Sequence, residues 1–180
     1  MELHEQSDSQ LIVRLQADAE PALDELMRRY KHPVINFCYR LLGNATDADD
    51  IAQETFVRLY QNRAKLDPAK KLTTWLFAVA RNLCLDRLRY RHRHPTEPLD
   101  TAPDHIAPAT VDKELGEQIA AAVAQLPEDQ RTALILAEYH GQSYAEIAAV
   151  LKSTEKSVES RLYRAKQTLR EKLRRLGLLE

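Results

Sequence analysis

Two apolar stripes at helical spacing, separated by three polar residues, constrain the C-terminal end of this chain more tightly than any other stretch. In SYAEIAAVLKSTEKSVESRLYRAKQTLREKLRRL, Ser143 to Leu176, the residues Tyr144, Ile147, Ala148 and Leu151 recur at i, i+3, i+4 and i+7. That period puts them on one face of a helix. Ser143 with Glu146 makes a capping box, each side chain satisfying a backbone N–H at the helix start. Val158, Leu162, Ala165 and Leu169 mark the buried side of a second helix. Lys152, Ser153 and Thr154 form the break, with Ser153 or Thr154 as N-cap and Glu155 suited to the positive helix end.

At about 100° per residue, the direction opposite the Val158 stripe carries Lys156, Ser160, Tyr163 and Gln167, flanked by Glu159 and Arg164. Between Lys156 and Arg175 stand eight Lys or Arg against two Glu, a local excess available for phosphates. A solvated amphipathic helix at the end of a bundle would carry the same stripe. A short helix, a tight turn and a longer helix with a basic outer face favour a helix-turn-helix.

The 180 residues suffice for one sizeable domain or two small ones, and four glycines amid abundant Leu, Ala, Arg and Glu predict an all-α fold. A net charge of −1 excludes a general polycation, yet acidic and basic blocks are segregated along the chain, which points to more than one partner. Cys38 and Cys84, distant in sequence and set in apolar helical patterns, read as buried thiols, with no Cys/His spacing that suits zinc. No apolar run approaches the roughly 18 residues of a membrane span. MELHEQSDSQ has no signal-peptide character, so the expected location is cytoplasmic, without membrane insertion.

From the N-terminus, Ser7 and Gln10 form another capping box ahead of Leu11, Ile12 and Leu15. Asp18 is placed to cap a helix that tolerates Pro21, kinks near Tyr30 because of Pro33, and ends at Gly43. Thr46 and Asp49 start a third, from about Asp47 to Gln61, buried through Ala48, Ile51, Ala52, Thr55 and Leu59. On its opposite face lie Asp50, Gln53, Glu54, Val57 and Gln61, which read as a solvated acidic surface or as a docking face for a basic protein surface. LDPAKK is a loop.

The next helix, Thr73 to about Arg91, has Leu76 at the centre of its buried side and Thr74, Arg81, Asn82, Leu85 and Arg89 opposite; Trp75 is assigned to the core. Five Arg and one Asp between Arg81 and Arg93, next to aromatics, suit single-stranded nucleic acid. Four prolines between His92 and Thr110 mark a flexible linker. Helical pattern resumes at Asp112 with Leu115, Ile119, Val123 and Leu126, then from Pro127 to Gly141. His140 is a structural histidine before the turn. Catalytic, metal and cofactor constellations are absent from the pattern, so an enzyme is not expected.

Four segments in this order, DADDIAQETFVRLYQN, LTTWLFAVARNLCLDRLRYRHR, LPEDQRTALILAEYHGQSYAEIAAVL and SVESRLYRAKQTLREKL, resemble the extracytoplasmic-function sigma factors of bacterial RNA polymerase. The resemblance implies an alternative sigma factor with two small helical domains, region 2-like at 1–93 and region 4-like at 112–180, joined by a Pro-rich flexible linker at 94–111. It implies that Asp50, Gln53, Glu54 and Val57 contact the clamp helices of core polymerase. The loop from Leu66 through Lys70 and Lys71, with Asn82, would read the minus-10 element as a flipped single-stranded base, with Arg81, Arg87 and Arg89 near the backbone. Lys156, Glu159, Ser160, Tyr163 and Arg164 would face the minus-35 duplex, with Arg161 on a phosphate or in an internal ion pair. Glu159 departs from the basic residue that many members of the family carry there, and two roles are open to it, accepting from a cytosine amine or only lowering non-specific affinity. The expected partners are core RNA polymerase, promoter DNA in duplex and single-stranded form, and an anti-sigma factor. Two other readings use the same features, a free-standing helix-turn-helix regulator with a sensing domain and a helical adaptor that never reads DNA.

Overall fold

The computed structural model describes residues 3–95 and 113–178. Among them the ordered elements are helical: α1 (Asp8–Gln16), α2 (Glu20–Leu42), α3 (Ala45–Gln61), a 3-10 turn (Arg63–Lys65), α4 (Leu72–Arg93), α5 (Lys113–Ala124), α6 (Glu128–His140), α7 (Tyr144–Leu151) and α8 (Glu155–Arg175), with a further 3-10 turn at Leu3–Glu5. The chain divides into two compact units, Met1–Cys38 with Thr46–Pro95 and Tyr39–Ala45 with Thr96–Glu180. Most of the expected linker, and the expected helix start at Asp112, lie outside the described residues.

In the first unit α1 starts at its predicted capping box, the Ser7 hydroxyl accepting from the Gln10 backbone while the Gln10 side chain returns to Ser7 N–H. Asp18 is not the cap of α2. It sits in the left-handed region at φ 57° and its carboxylate accepts from Arg63 Nε at 2.7 Å, so it closes a turn instead. α2 runs on past Pro33. α3 begins at Ala45, earlier than Thr46 and Asp49 suggested, behind the buried Asn44.

Leu11, Ile12, Leu15, Leu26, Phe37, Leu59, Leu72 and Leu76 are the fully enclosed centre of this unit. Each such side chain contributes about 1.5–3 kcal/mol relative to exposure. Phe37 and Phe77 add a tilted ring pair at 5.1 Å. Two expectations for α4 fail together. Leu85 is buried rather than outward, and Trp75 is only half-buried. Phe77, Ala80 and Cys84 are as enclosed as Leu76, so the buried arc is centred between Leu76 and Phe77, which turns Trp75 outward; Leu85 is buried beyond the edge of that arc. Cys38 and Cys84 are buried and free of disulfide, and a hydrogen bond between the two thiols, together with burial, pushes the Cys84 thiol up.

The N-terminal turn and α1 are fastened to α2 by charge. Glu25 accepts from Arg28 Nε at 2.8 Å and from Arg29 Nε at 2.7 Å. Arg29 also donates to Asp8 at 3.1 Å and to the Gln6 carbonyl at 2.8 Å, and the Tyr30 hydroxyl donates to the same Asp8 carboxylate. Arg28, then Arg29, holds the Glu25 carboxyl down from 4.5 to about 2. An unfolded chain therefore takes up this proton before the folded one does, and the stabilisation from Glu25 is complete above pH 4.5 and lost as pH falls towards about 2. Glu25→Gln should be less stable than the parent at neutral pH, with the difference shrinking through that acid window when thermal melts are followed by circular dichroism. A difference constant across pH would contradict the ion-pair account.

Candidate functional site

In the second unit the turn between α7 and α8 is built by Lys152, whose φ of 50° reverses the chain and lets Ser153 N–H reach the Ala148 carbonyl at 2.9 Å. Thr154 is the N-cap of α8, its hydroxyl accepting from Ser157 N–H at 3.2 Å, which decides between Ser153 and Thr154. Upstream, Gly141 ends α6 in the left-handed conformation (φ 58°). The capping box of Ser143 and Glu146 opens α7 as predicted.

α8 packs on α5, α6 and α7 through Val158, Leu162 and Ala165, which are 0–4% exposed. Leu169 is half-buried. One member of the predicted α7 stripe is misplaced: Tyr144, the first helical residue, is 46% exposed, and Val150, at i+3 from Ile147, fills the core at 2%.

Behind the buried stripe, Lys156, Glu159, Ser160, Tyr163 and Arg164 all face solvent. Tyr163 is 65% exposed, and its hydroxyl accepts from Gln167 Nε2 at 3.1 Å. Arg161 stands apart from this face, its guanidinium 3.1 Å from Asp129 of α6. Lys166 is likewise bound, to Glu138 at 2.8 Å. The basic excess of α8 is thus partly consumed inside the unit.

On the first unit α3 buries Ile51, Ala52, Thr55, Phe56 and Leu59, and turns Asp50, Gln53, Glu54, Val57 and Gln61 to solvent as one stripe. Val57, 48% exposed, is an apolar centre in an acidic surround. Glu54 pairs with Arg58 at 2.9 Å, an exposed i,i+4 contact worth only a few tenths of a kcal/mol. Asp47 is different. It is buried, and Arg87 at 2.8 Å and Arg91, both from α4, converge on it. Periodicity did not single it out, because its partners lie a whole helix away in sequence.

The loop after α3 is anchored by the buried Leu66, while Lys70 and Lys71 are exposed. The Asp67 carboxylate accepts from Ala69 N–H at 3.0 Å and lies 3.9 Å from Lys70 Nζ. On α4, Asn82 and Arg89 face solvent, Arg89 pairs with Asp86 at 2.9 Å, and Arg81 is half-buried. The Asp47 fork commits Arg87 and Arg91 to the fold. Trp75, Asn82 and Arg89, seven apart, follow one line along the helix, so the half-exposed indole assigned to the core shares the polar face instead. His140 ends α6, and its carbonyl accepts from Gln142 Nε2 at 3.1 Å. Among the described residues no His/Cys/Asp/Glu group is arranged to hold a metal, and no helix is long and apolar enough to cross a membrane.

A basic helix-turn-helix on one unit and an acidic helical face beside an Asn-bearing basic helix on the other describe a DNA-recognition transcription factor. Residues 26–94 match Sigma-70 region 2, and residues 116–169 match Sigma-70, region 4. The RNA polymerase sigma-H factor of Pseudomonas aeruginosa is 32% identical, over 93% of this chain and 94% of that protein. The ECF RNA polymerase sigma factor SigW of Bacillus subtilis is 33% identical, over 87% and 91%. Among solved structures, CnrH in complex with the cytosolic domain of CnrY aligns at TM-score 0.73 and 27% identity, covering 93% of this chain and 97% of that one. The sigma factor RpoE in complex with the anti-sigma factor NepR from Bartonella quintana aligns at 0.70 and 25%, covering 84% and 96%. The chain belongs to the extracytoplasmic-function sigma factors, alternative sigma factors that direct RNA polymerase to promoters.

The αL residue in the turn yields a test of this geometry. A side chain in that conformation costs roughly 1 kcal/mol or more, partly offset in a glycine by its greater chain entropy. Lys152→Gly is therefore expected to raise the denaturation midpoint of the helix-turn-helix unit slightly, and Lys152→Val to lower it clearly. Equal midpoints for both variants would contradict the strained turn.

Proposed function

We propose that this protein reads both promoter elements with separate domains, 1–93 on core polymerase and the minus-10 element and 112–180 on the minus-35 element, with 94–111 as tether. The observation that carries the proposal is the exposure of Asp50, Gln53, Glu54 and Val57 as one uninterrupted face of α3. An acidic rim around an apolar residue is complementary to a basic helical surface, and the clamp helices of the largest polymerase subunit are the proposed receptor.

On the same unit the loop Leu66–Lys71 and Asn82 form the proposed minus-10 reader. Leu66 acts as the loop's buried anchor and Lys70 and Lys71 as its exposed cations. Extruding a base costs a few kcal/mol, so a pocket that accepts only the right base turns recognition into strand opening. Arg89, with Arg81 beside it, follows the backbone, and the exposed edge of Trp75 is available for stacking. On α8 the reading face is Lys156, Glu159, Ser160, Tyr163 and Arg164, with Arg164 bidentate to a guanine and Glu159 accepting from a cytosine amine. Of the two roles weighed for Arg161, the pair with Asp129 favours the internal one. Each domain binds weakly, and tethering supplies the effective concentration that makes the joint site strong.

The protein performs no catalysis of its own and works in the cytoplasm, where the polymerase is. An anti-sigma factor is its proposed regulator. The NepR complex of the relative from Bartonella quintana is the precedent for that partner.

Run-off transcription with core polymerase on sheared genomic DNA, followed by start-site mapping, tests the whole reading. Failure to initiate on any fragment would overturn it. On a mapped promoter, Asn82→Ala should impair opening, read by permanganate reactivity, and leave core association intact. Asp50→Ala with Glu54→Ala should weaken core association in a pull-down. Arg164→Ala should cost about 1–3 kcal/mol of discrimination at one minus-35 base pair, measured by competition with base-substituted duplexes.

A further inference from the structure

α1 lies before the residues that match Sigma-70 region 2, yet its polar side chains converge on the loop that region supplies. Gln16 Nε2 donates to two backbone carbonyls, Arg63 at 3.1 Å and Leu66 at 2.9 Å. Ser9 Oγ donates to the Pro68 carbonyl at 2.6 Å. Just beyond the helix, Asp18 takes Arg63 Nε at 2.7 Å and Nη2 at 2.5 Å. The segment held in this way spans the 3-10 turn and the first half of the loop, and α1 packs directly on that turn.

The clamp is itself immobilised. Leu11, Ile12 and Leu15 are 0–1% exposed, and Asp8 at the start of α1 is bound by Arg29 and Tyr30 of α2. From Leu66 to Lys71 the loop has no regular secondary structure; the Asp67 carbonyl accepts from Lys70 N–H within the loop, while those of Leu66 and Pro68 accept from α1. One carboxamide that satisfies two carbonyls three residues apart fixes the direction of both peptide planes. A pocket that accepts an unpaired base needs its backbone fixed beforehand, because a loop that is competent only part of the time binds with an affinity reduced by that fraction.

We infer that α1 is the positioning element of the base-reading loop, with Gln16 as the principal clamp and Ser9 and Asp18 as its flanking supports. The inference rests on the assignment of Leu66–Lys71 and Asn82 to minus-10 reading. Gln16 touches no DNA in this scheme. It acts through the backbone of residues 63–66.

The test uses holoenzyme assembled from the full chain and core polymerase, and a labelled single-stranded oligonucleotide carrying the non-template minus-10 strand of a mapped promoter. A set of oligonucleotides with each base replaced in turn accompanies it. Gln16→Leu should weaken binding of the parent oligonucleotide roughly tenfold, the loss expected for one or two hydrogen bonds, and flatten the preference among the replaced bases. Gln16→Glu should do the same, since a carboxylate offers the two carbonyls no proton. Ser9→Ala should give a smaller loss that Ser9→Thr restores, because threonine keeps the hydroxyl. Core association and minus-35 duplex binding should stay at parental levels in all four.

Retention of both affinity and base preference by Gln16→Leu would overturn the inference. So would an equal loss for every oligonucleotide, which is the signature of a merely destabilised domain. Lys70→Ala and Asn82→Ala separate the two levels. If both also bind the parent oligonucleotide normally, the loop is not the reader and the minus-10 assignment falls. If they weaken it while Gln16→Leu does not, the role of α1 alone falls.

Discussion

Val158, Leu162 and Ala165 are withdrawn from water almost completely, and their burial fixes the rotation of α8 about its own axis. A helix held along one stripe has no freedom left in its opposite face. Lys156, Ser160, Tyr163 and Arg164 are therefore presented as a rigid row, although none of them makes the contacts that hold the helix in place. The same constraint acts on α3, where Ile51, Ala52, Thr55, Phe56 and Leu59 are enclosed and Asp50, Gln53, Glu54 and Val57 stand behind them. Apolar packing sets where the polar groups are, and the polar groups are left to choose the partner.

Charge is divided by the same logic. Asp47 gathers Arg87 and Arg91, Asp129 takes Arg161, and Glu138 takes Lys166. On α8 Arg161 and Lys166 lie on the flanks of the helix, while on α4 Arg87 and Arg91 continue the buried line of Leu76, Ala80 and Cys84, and in each case a carboxylate from a neighbouring element reaches them. The residues in the middle of the outer faces of α3 and α8 are exposed. A count of arginines along α4 or α8 therefore overstates what is available to phosphates, and only the position of each around the helix separates the two groups.

Helical period and capping chemistry made much of this legible in the sequence. The capping boxes at Ser7 and Ser143, the chain reversal after Leu151 and the outward faces of α3 and α8 are local patterns, and the structure has them where the patterns put them. What local pattern missed is long-range. Asp18 looked like a helix cap because it precedes one, but Arg63 lies against it in the fold. Trp75 turns outward because α4 buries Phe77 and Cys84 as deeply as Leu76, which moves the centre of its buried arc away from Leu76, and Leu85 is buried beyond the edge of that arc. Cys38 and Cys84 were recognised as buried thiols, while their mutual contact required two helices to be brought together. The clamp from Gln16 to Arg63 and Leu66 is invisible to periodicity for the same reason, since a glutamine at the end of an amphipathic helix ordinarily faces water.

The near balance of total charge completes this picture. A sigma factor that was basic throughout would be drawn to any duplex by counterion release, with an affinity indifferent to sequence. Here 26 basic residues meet 27 acidic ones, and internal pairing removes several of the former from the proposed DNA-facing surfaces. Exposed cations stand on α8, on the loop after α3 and on α4, set against an acidic face on α3 that DNA repels. On the proposed assignment, low non-specific attraction leaves selectivity to contacts made at base edges and to an unpaired base. In that proposal the contacts are individually weak, and they become sufficient when polymerase holds both proposed readers on one promoter and each raises the effective concentration of the other.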